Sequence, residues 1–345
     1  MPWRDQFNKL KYEFNTMMGD RPPQQQYYQQ QQYPPQQYHQ QPYQQQQYPP
    51  PPPPPQQGQY PQGPGPSGHG GPPPIPPHPP RIIWQPRFQT DIPITQEWDA
   101  KLGNGPDGWG NQELQHYTAD QNNAFQARST PDGRLVLRAI VNDRANATDQ
   151  RYTSARLVSR QTLSQDRGVL TGIITSPCAQ GIWPAFWLLP QEPFAWPTDG
   201  EIDIAETWNG DHENHSCLHW GQHHEPDKHR VLGTRIPDMH ARPVRYDFAW
   251  DQHGGQPGQG RMIWYIDGRP VMKHTVPQGT RPLREMTVLL NVAMGGNVCG
   301  GKVPVPGYYD MVVNSLFIAD EMEHGGWGRF DHDWAHPGVP LGNTY

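Results

Sequence analysis

The sequence predicts an all-β domain, a jelly-roll sandwich of two packed antiparallel sheets, behind a disordered N-terminal tail. Two observations support the sandwich. After residue 80, short β-prone runs recur, and turn-forming pairs separate them. The segments between the runs are rich in Gly, Pro and Asn and lack helical periodicity, which disfavours the crossover helices of a parallel α/β fold. We therefore expect residues 81–345 to form one domain with one large core.

Residues 1–80 differ sharply in composition from the rest. About half of the 43 prolines fall here, together with long Gln and Tyr runs, and Ile, Val and Leu are nearly absent. Such a segment buries too little apolar surface to offset its chain entropy, so we expect disorder with polyproline II character. The apolar spacing near residues 3–17 permits a short helix, and a transient helix that packs against nothing is the alternative.

The predicted strands follow one another along the domain. They are "RLVLRAIV" from Arg134, "GVLTGIIT" from Gly168, "GIWPAFWLL" from Gly181, "EIDIAETW" from Glu201, "RMIWYIDG" from Arg261, "RPVMKHTV" from Arg269, "MTVLLNVAM" from Met286 and "YDMVVNSLFIAD" from Tyr309. Turns are predicted at Pro131, Thr198, His253 and Asp267. The Asp267-Gly268 pair divides two β-prone runs, which indicates a hairpin.

Charge and cysteine content restrict the partners. The formal net charge is -6 and no basic block is present, so we expect no nucleic-acid partner. No apolar run reaches the ~18 residues that a membrane span needs. The charged N-terminus lacks the apolar centre of a secretory signal, and Cys178, Cys217 and Cys299 do not resemble a disulfide framework. These features predict a cytoplasmic protein, which we expect to be a monomer.

The stretch "GEIDIAET" places three carboxylates, Glu201, Asp203 and Glu206, at spacings of two and then three. In a regular strand, Glu201 and Asp203 share one face, whereas Glu206 falls on the face of the isoleucines and into the core. A one-residue bulge near Ile204 or Ala205 removes this conflict, because it returns Glu206 to the open face. We therefore predict a bulged strand with three carboxylates on one face.

Clustered carboxylates on one open face repel one another, so a chemical use is favoured over a structural one. Two carboxyl groups about 5 to 5.5 Å apart can carry out retaining glycoside hydrolysis, one as nucleophile and one as acid and then base. An exposed acidic edge and a calcium site remain alternatives. Calcium usually recruits its ligands from a loop rather than from alternate positions of an apolar strand.

Aromatic residues near the acidic strand favour a carbohydrate cleft, because sugar rings stack on indole rings. Those around the strand are Trp183, Phe186, Trp187, Trp196 and Trp208, and Trp109, Trp220 and Trp264 lie elsewhere in the domain. About half are expected to be structural. The histidines 215, 219 and 223 would share a helical face, but "SCLHWG" reads as β, so we predict no metal site there.

Several blocks, in order, resemble those of glycoside hydrolase family 16 in its laminarinase-like form. The strand "GEIDIAE" matches the E-x-D-x-x-E motif of that family. The other blocks are "GWGNQELQHYT" from Gly108, "YTSARL" from Tyr152, "GIWPAFWLLP" from Gly181, "WYIDGRPV" from Trp264, "LLNVAMGGN" from Leu289 and "YYDMVVNSLFIAD" from Tyr308. Together they cover nearly all of residues 90–320.

The resemblance implies a concanavalin A-like jelly roll and endo-acting, retaining hydrolysis of β-1,3 or mixed β-1,3/1,4-glucan. It implies Glu201 as nucleophile, Glu206 as general acid and base, and Asp203 as their assistant. The sugar-binding residues that it implies are Asn111, Arg156, Trp183, Trp187, Trp196, His219 and Asn297. No cofactor is implied. Some family members hold a structural calcium ion on the convex face, for which this sequence shows no motif.

The sequence departs from the family pattern at Val298, where a Trp usually follows "GGN", and in "QDRGVLTGIITSP" before the Trp-rich strand. A transglycosylase that remodels wall glucan, or a glucan-binding protein without activity, remain alternatives to a hydrolase. A wall glucan conflicts with the absence of a signal sequence. A misassigned start, an intracellular substrate and unconventional export are the three explanations left open.

Overall fold

The computed structural model describes residues 79–127, 133–222, 225, 228–252 and 259–344. Several predicted features lie outside the described residues. These are the tail up to residue 78, the helix near residues 3–17 and the turns at Pro131 and His253. The division of the chain at residue 80 stays a prediction. Within the described ranges, no helix is long and apolar enough to cross a membrane.

The described residues form a two-sheet β sandwich, as predicted. Its strands are β1 (Ile82–Trp84), β2 (Trp98–Ala100), β3 (His116–Tyr117), β4 (Ala124–Ala127), β5 (Arg134–Val141), β6 (Tyr152–Ser154), β7 (Arg156–Thr162), β8 (Arg167–Thr175), β9 (Ile182–Pro190), β10 (Glu201–Glu206), β11 (Glu213–His219), β12 (His229–Arg235), β13 (Val244–Asp251), β14 (Arg261–Ile266), β15 (Arg269–Thr275), β16 (Met286–Met294) and β17 (Gly307–Ala319). The helices are α1 (Thr148–Arg151) and α2 (Gly326–Ala335), with short helical turns at Ile94–Gln96, Gly108–Gln112 and Leu283–Glu285.

One sheet has the order β15-β14-β13-β8-β17-β5-β6-β3, with β1 on β17 and β4 on β5, and the other has the order β12-β11-β10-β9-β16-β7-β2. The pairs are antiparallel except for β3 with β6. Strands β8 and β9 are consecutive in the chain but belong to different sheets, so the chain crosses between the layers there. This alternation between sheets is the jelly-roll arrangement.

The seven-stranded sheet has one face in the core and one face open. Along β9, Phe186 and Leu188 lie in the core cluster, whereas Ala185 and Trp187 line a cleft on the other face. The two sheets approach closely, since a Cβ atom on Gly172 of β8 would stand 2.7 Å from the Phe186 ring. Successive residues of β9 therefore alternate between the apolar core and the cleft.

The predicted hairpin at Asp267-Gly268 is confirmed. Asp267 and Gly268 connect β14 to β15, with φ values of 47° and 74°. Two consecutive positive φ angles characterise the two-residue turn whose twist matches that of the flanking strands.

The helix α2 at the C-terminal end was not predicted from the sequence. Glycines 325, 326 and 328 lower the helix propensity of this stretch. Trp327, Phe330 and Trp334 nevertheless follow helical spacing, and they pack with Val169 and Ile263 on the outer face of the ten-stranded sheet. Tertiary packing therefore decides the conformation here, which local propensity cannot reveal.

We expect Phe330→Ala to lower the free energy of unfolding by about 3 kcal/mol, because the ring is fully buried beneath α2 and its removal leaves a cavity. Leu102→Ala is the matched control, since Leu102 is 63% exposed, and a change within about 0.5 kcal/mol is expected. Denaturant unfolding measures both. Equal stability of the two variants would show that α2 does not contribute to the fold.

Candidate active site

The acidic strand β10 contains the predicted bulge. It pairs with β9 through Ile202 with Leu188 and Asp203 with Trp187, and then, after a register shift, through Ala205 with Phe186 and Glu206 with Ala185. Ile204 is thus the extra residue. Trp187 and Ala185 are two apart on β9 and share its open face, so their partners Asp203 and Glu206 share that face too. The uneven spacing of the carboxylates follows from this geometry.

The open face forms the floor of a cleft of about 650 Å³. Aromatic side chains form much of its wall, and the three carboxylates of β10 lie among them. The lining residues are Pro106, Trp109, Gly110, Asn111, Glu113, Tyr117, Arg156, Trp183, Ala185, Trp187, Leu189, Phe194, Trp196, Glu201, Asp203, Glu206, Asn291 and Ala293. A cavity of this size suits several sugar units or a drug-sized ligand.

Each outer glutamate of β10 accepts a hydrogen bond from an indole N–H. Trp196 Nε1 donates to Glu201 Oε2 over 2.5 Å, and Trp183 Nε1 donates to Glu206 Oε1 over 2.6 Å. Short N–H···O contacts to a carboxylate fix its orientation. Trp183 and Trp196 therefore position the carboxyl groups in addition to lining the cleft.

Asp203 lies between these glutamates and is 4% exposed. Its carboxylate Oδ2 is 3.6 Å from His219 Nε2 on the neighbouring strand β11. Its backbone carbonyl accepts a hydrogen bond of 2.9 Å from Trp264 Nε1, which reaches across the core from the opposite sheet. Trp264 is buried in the core cluster, so this tryptophan has a structural role and anchors the bulged strand.

Arg156 lies between two aromatic walls of the cleft. Its guanidinium carbon is 4.7 Å from the Trp109 ring centroid and 4.8 Å from that of Trp187, both within cation–π range. Trp187 Nε1 in turn donates to Asn291 Oδ1 over 2.7 Å. This stacking holds a cation and two flat apolar faces in one part of the cleft.

A buried polar network supports the side of the cleft around Asn111. Glu113 accepts hydrogen bonds from Asn111 Nδ2 at 3.0 Å and from Gln115 Nε2 at 2.6 Å. Gln115 Oε1 accepts from the backbone N–H of Met294 on β16 over 2.7 Å. Burial, and next the nearby Glu113 charge, raises the pKa of the Tyr117 phenol well above its ordinary value, so this hydroxyl stays neutral.

Five residues in or beside the cleft were not predicted from the sequence as site residues: Glu113, Gln115, Tyr117, Phe194 and Asn291. A signal for three of them was available, because Asn111, Glu113, Gln115 and Tyr117 recur at every second position of one quoted block. A period of two places such side chains on one face. Phe194 and Asn291 carry no comparable pattern, since only the fold brings them to the cleft.

The structure brings together most of the predicted site residues. Glu201, Asp203, Glu206, Asn111, Arg156, Trp183, Trp187 and Trp196 all line the cleft. His219 and Asn297 are not among its lining residues. His219 faces Asp203, and the backbone N–H of Asn297 donates to the Asn111 carbonyl over 2.7 Å. Val298, where the family usually has Trp, is buried against Trp183, so it turns inward rather than leaving a gap.

Two of the three histidines considered as metal ligands lie on one strand. His215 and His219 are both on β11, which pairs with β12 without a register shift, so they share a face. Their distance along the strand, about 13 Å for four residues, is what prevents a shared ion. His215 instead stacks on Trp208, with ring centroids 3.9 Å apart. His223 lies outside the described residues.

We expect Trp196→Phe to lower the rate of a reaction that uses the Glu201 carboxylate by about 10- to 100-fold, because it removes a hydrogen bond to that carboxylate worth about 1.5 to 3 kcal/mol. Trp84→Phe is the matched control. Trp84 Nε1 also donates to a carboxylate, that of Glu97 at 3.1 Å, but neither residue lines the cleft. Steady-state kinetics of both variants would contradict the positioning role if their kcat values were equal.

Paired carboxylates beneath aromatic walls are the arrangement that is typical of enzymes acting on glycosidic bonds. The class of protein that this fold and site define is a glycoside hydrolase. A family model described as an XgeA-like catalytic GH16 domain matches residues 112–241. The glucan endo-1,3-beta-glucosidase of Cryptopygus antarcticus is 30% identical over 265 residues, which cover 71% of this chain and 92% of that protein. The chain belongs to glycoside hydrolase family 16.

Two further comparisons agree with this assignment. Glucan endo-1,3-beta-glucosidase A1 of Niallia circulans is 29% identical over 253 residues, which cover 65% of this chain and 35% of that protein. The present chain therefore spans about a third of that relative. The crystal structure of LamA from Z. galactanivorans in complex with laminaritriose and laminaritetraose has a TM-score of 0.54 and 26% identity, covering 69% of this chain and 98% of that chain.

Proposed function

We propose that this protein is an endo-acting β-glucanase that hydrolyses β-1,3 or mixed β-1,3/1,4 linkages with retention of anomeric configuration. The observation that carries the proposal is the bulge at Ile204, which puts Asp203 and Glu206 on the cleft face of one strand with Glu201. A strand built only for stability would not gather three carboxylates on an open face. Each outer carboxylate also has its own indole donor.

In the proposed first step, the Glu201 carboxylate attacks the anomeric carbon of the bound sugar. The bond to the glycosidic oxygen breaks, and the Glu206 carboxylic acid donates its proton to that leaving oxygen. A glycosyl ester on Glu201 and a Glu206 carboxylate result. In the second step, Glu206 takes a proton from water, the water oxygen attacks the same carbon, and Glu201 leaves as a carboxylate. Two inversions give net retention.

The proposed role of Asp203 is electrostatic. Its buried carboxylate lies between the two glutamates, and His219 is the charged or polar partner that faces it at 3.6 Å. Negative charge from Asp203 favours the protonated form of a neighbouring glutamate, which Glu206 needs as an acid. No cofactor takes part in the proposed chemistry.

Two unpaired polar atoms support sugar binding by Asn111 and Arg156. Asn111 Oδ1 and Arg156 Nε are buried and have no hydrogen-bond partner among the described residues. One is an acceptor and the other a donor, and both residues line the cleft beside the Trp109 and Trp187 rings. Sugar hydroxyls can satisfy both atoms while the pyranose ring stacks on an indole.

The substrate class is supported by the relatives. The Cryptopygus and Niallia proteins are both named as glucan endo-1,3-beta-glucosidases, and the Z. galactanivorans structure holds laminaritriose and laminaritetraose. The partner proposed for this chain is therefore a β-glucan. The expectations of a monomer, of no nucleic-acid partner and of a cytoplasmic location stay predictions.

Incubation with laminarin, lichenan and chitin oligosaccharides, followed by analysis of product size, tests the proposal. A mixture of intermediate-length fragments of laminarin or lichenan is expected at early time points, since an endo-acting enzyme cuts internal bonds. Products longer than the substrate would identify the transglycosylase alternative, in which a sugar replaces water in the second step. Binding to these glucans without any product would leave a glucan-binding protein and overturn the enzyme.

Deletion of residues 1–80 is expected to leave kcat/KM on soluble laminarin within about twofold of the full chain, because the cleft residues that the structure describes all lie beyond residue 100. The two proteins are compared at equal concentration of folded domain, with circular dichroism as the check on folding. A large loss of turnover in a folded truncated protein would show that the boundary at residue 80 is wrong.

A further inference from the structure

A second group of reactive side chains lies outside the cleft. Cys178, His212 and His240 each offer one possible ligand atom, and these atoms all lie within 4.8 Å of one another. None of the three residues lines the cleft. They come from three different connections: Cys178 from β8 to β9, His212 from β10 to β11, and His240 from β12 to β13.

Backbone hydrogen bonds join the three connections to one another. The backbone N–H of Ile236 donates to the His212 carbonyl over 2.8 Å, and that of Ser176 donates to the Met239 carbonyl over 3.1 Å. The connections from β8 to β9 and from β12 to β13 both pass from one sheet to the other. The cluster thus lies at an end of the sandwich where the chain crosses between its layers.

One polar atom of the cluster is unexplained by the fold. His212 Nδ1 is buried and has no hydrogen-bond partner among the described residues. The His212 backbone is left-handed, with φ 57°, and its ring meets that of His240 edge-on at a centroid distance of 5.0 Å. A buried imidazole nitrogen without a partner costs free energy, which a bound ion would recover.

We propose that Cys178, His212 and His240 bind a zinc-class divalent ion that links the three connections. One sulfur and two imidazole ligands suit Zn²⁺ and Co²⁺, whereas Ca²⁺ and Mg²⁺ require oxygen ligands. With Zn–S and Zn–N bonds of about 2.3 and 2.0 Å, tetrahedral ligands lie about 3.5 Å apart. The side chains would each move inward by about 1 Å or less, and His240 is exposed and free to do so. Coordination displaces the Cys178 thiol proton, which passes to solvent.

The ion would stabilise the sandwich without taking part in the chemistry of the cleft. The ion would join two connections that pass between the sheets to the connection that follows the acidic strand. It would therefore bind the folded chain better than the unfolded one. The proposal does not depend on the glucanase activity, and either can fail without the other.

Thermal unfolding of the full chain, after treatment with EDTA and then with added Zn²⁺, provides the first readout. We expect Tm to rise by about 5 °C at a Zn²⁺ concentration of about 100 Kd. His240→Gln should abolish the rise with little effect on the metal-free Tm, since this side chain is exposed. A rise that survives in His240→Gln, or no rise in the unaltered chain, would overturn the proposal.

Co²⁺ absorption provides the second readout, because a thiolate ligand gives an intense charge-transfer band that histidine alone does not. The band is expected in the unaltered chain and in Cys217→Ser, and is expected to be lost in Cys178→Ser. Cys217 is the matched control because it belongs to a second cluster, with Asp203 and His219, beside the cleft. Loss of the band in Cys217→Ser with retention in Cys178→Ser would place the ion in this second cluster and contradict the assignment.

Discussion

Glu201→Gln is expected to lower kcat on laminarin by about 10⁴- to 10⁶-fold, which is the scale of losses when a nucleophile is removed. The amide cannot form the glycosyl ester, because it is a far weaker nucleophile than the carboxylate. Its oxygen can still accept the hydrogen bond from Trp196 Nε1, so the side chain keeps its place. We expect oligosaccharide binding and the unfolding midpoint to change little.

Glu321→Gln is the matched control for this variant. It makes the same substitution near α2, at a residue that does not line the cleft, and kcat should equal that of the unaltered protein. Single-turnover assays and calorimetric titration with laminarin oligosaccharides separate the chemical step from binding. Glu201→Gln with more than about a tenth of normal kcat would rule out Glu201 as the nucleophile.

Glu206→Gln is expected to lower kcat on laminarin by about 10²- to 10⁴-fold, the usual contribution of a general acid and base. Gln keeps an acceptor for Trp183 Nε1 and so preserves the packing beside β10. A substrate with an aryl leaving group needs little protonation, and its first step should remain fast. The second step lacks its base, so the glycosyl ester should accumulate.

The expected result with the aryl substrate is a burst of about one equivalent of phenolate per protein, followed by slow turnover. Stopped-flow absorbance measures the burst. Glu201→Gln serves as the comparison, because it cannot form the ester and should show no burst. An equal loss of rate on laminarin and on the aryl substrate, without a burst, would contradict the assignment of Glu206 as acid and base.

Much of the fold could be predicted because its long strands are runs of β-prone residues that turn-forming pairs separate. The predicted runs from Arg134 and Met286 match β5 and β16. The bulge in β10 could also be predicted, because only a shift of register keeps the Glu206 charge out of the core. The helix α2 could not, since its glycines oppose a helix and packing on the outer sheet face overrides them.

Site residues could be predicted where several of them lie close together in one short segment of the sequence. The carboxylates of β10 and the tryptophans of β9 meet this condition. The cleft wall also depends on contacts between distant segments, such as Arg156 between Trp109 and Trp187, or Asn291 beneath Trp187. Which tryptophans serve the core, as Trp264 does, depends on the packing of the two sheets and not on local composition.

A covalent intermediate at Glu201 is the most direct test of the proposed mechanism. A β-glucosyl oligosaccharide that carries fluorine at C2 and a good leaving group slows both steps, and slows the second enough to trap the ester. Mass spectrometry of the intact protein should then show one added glycosyl group, and peptide mapping should place it on Glu201. A label on Glu206 or on any residue outside β10 would contradict the proposed mechanism.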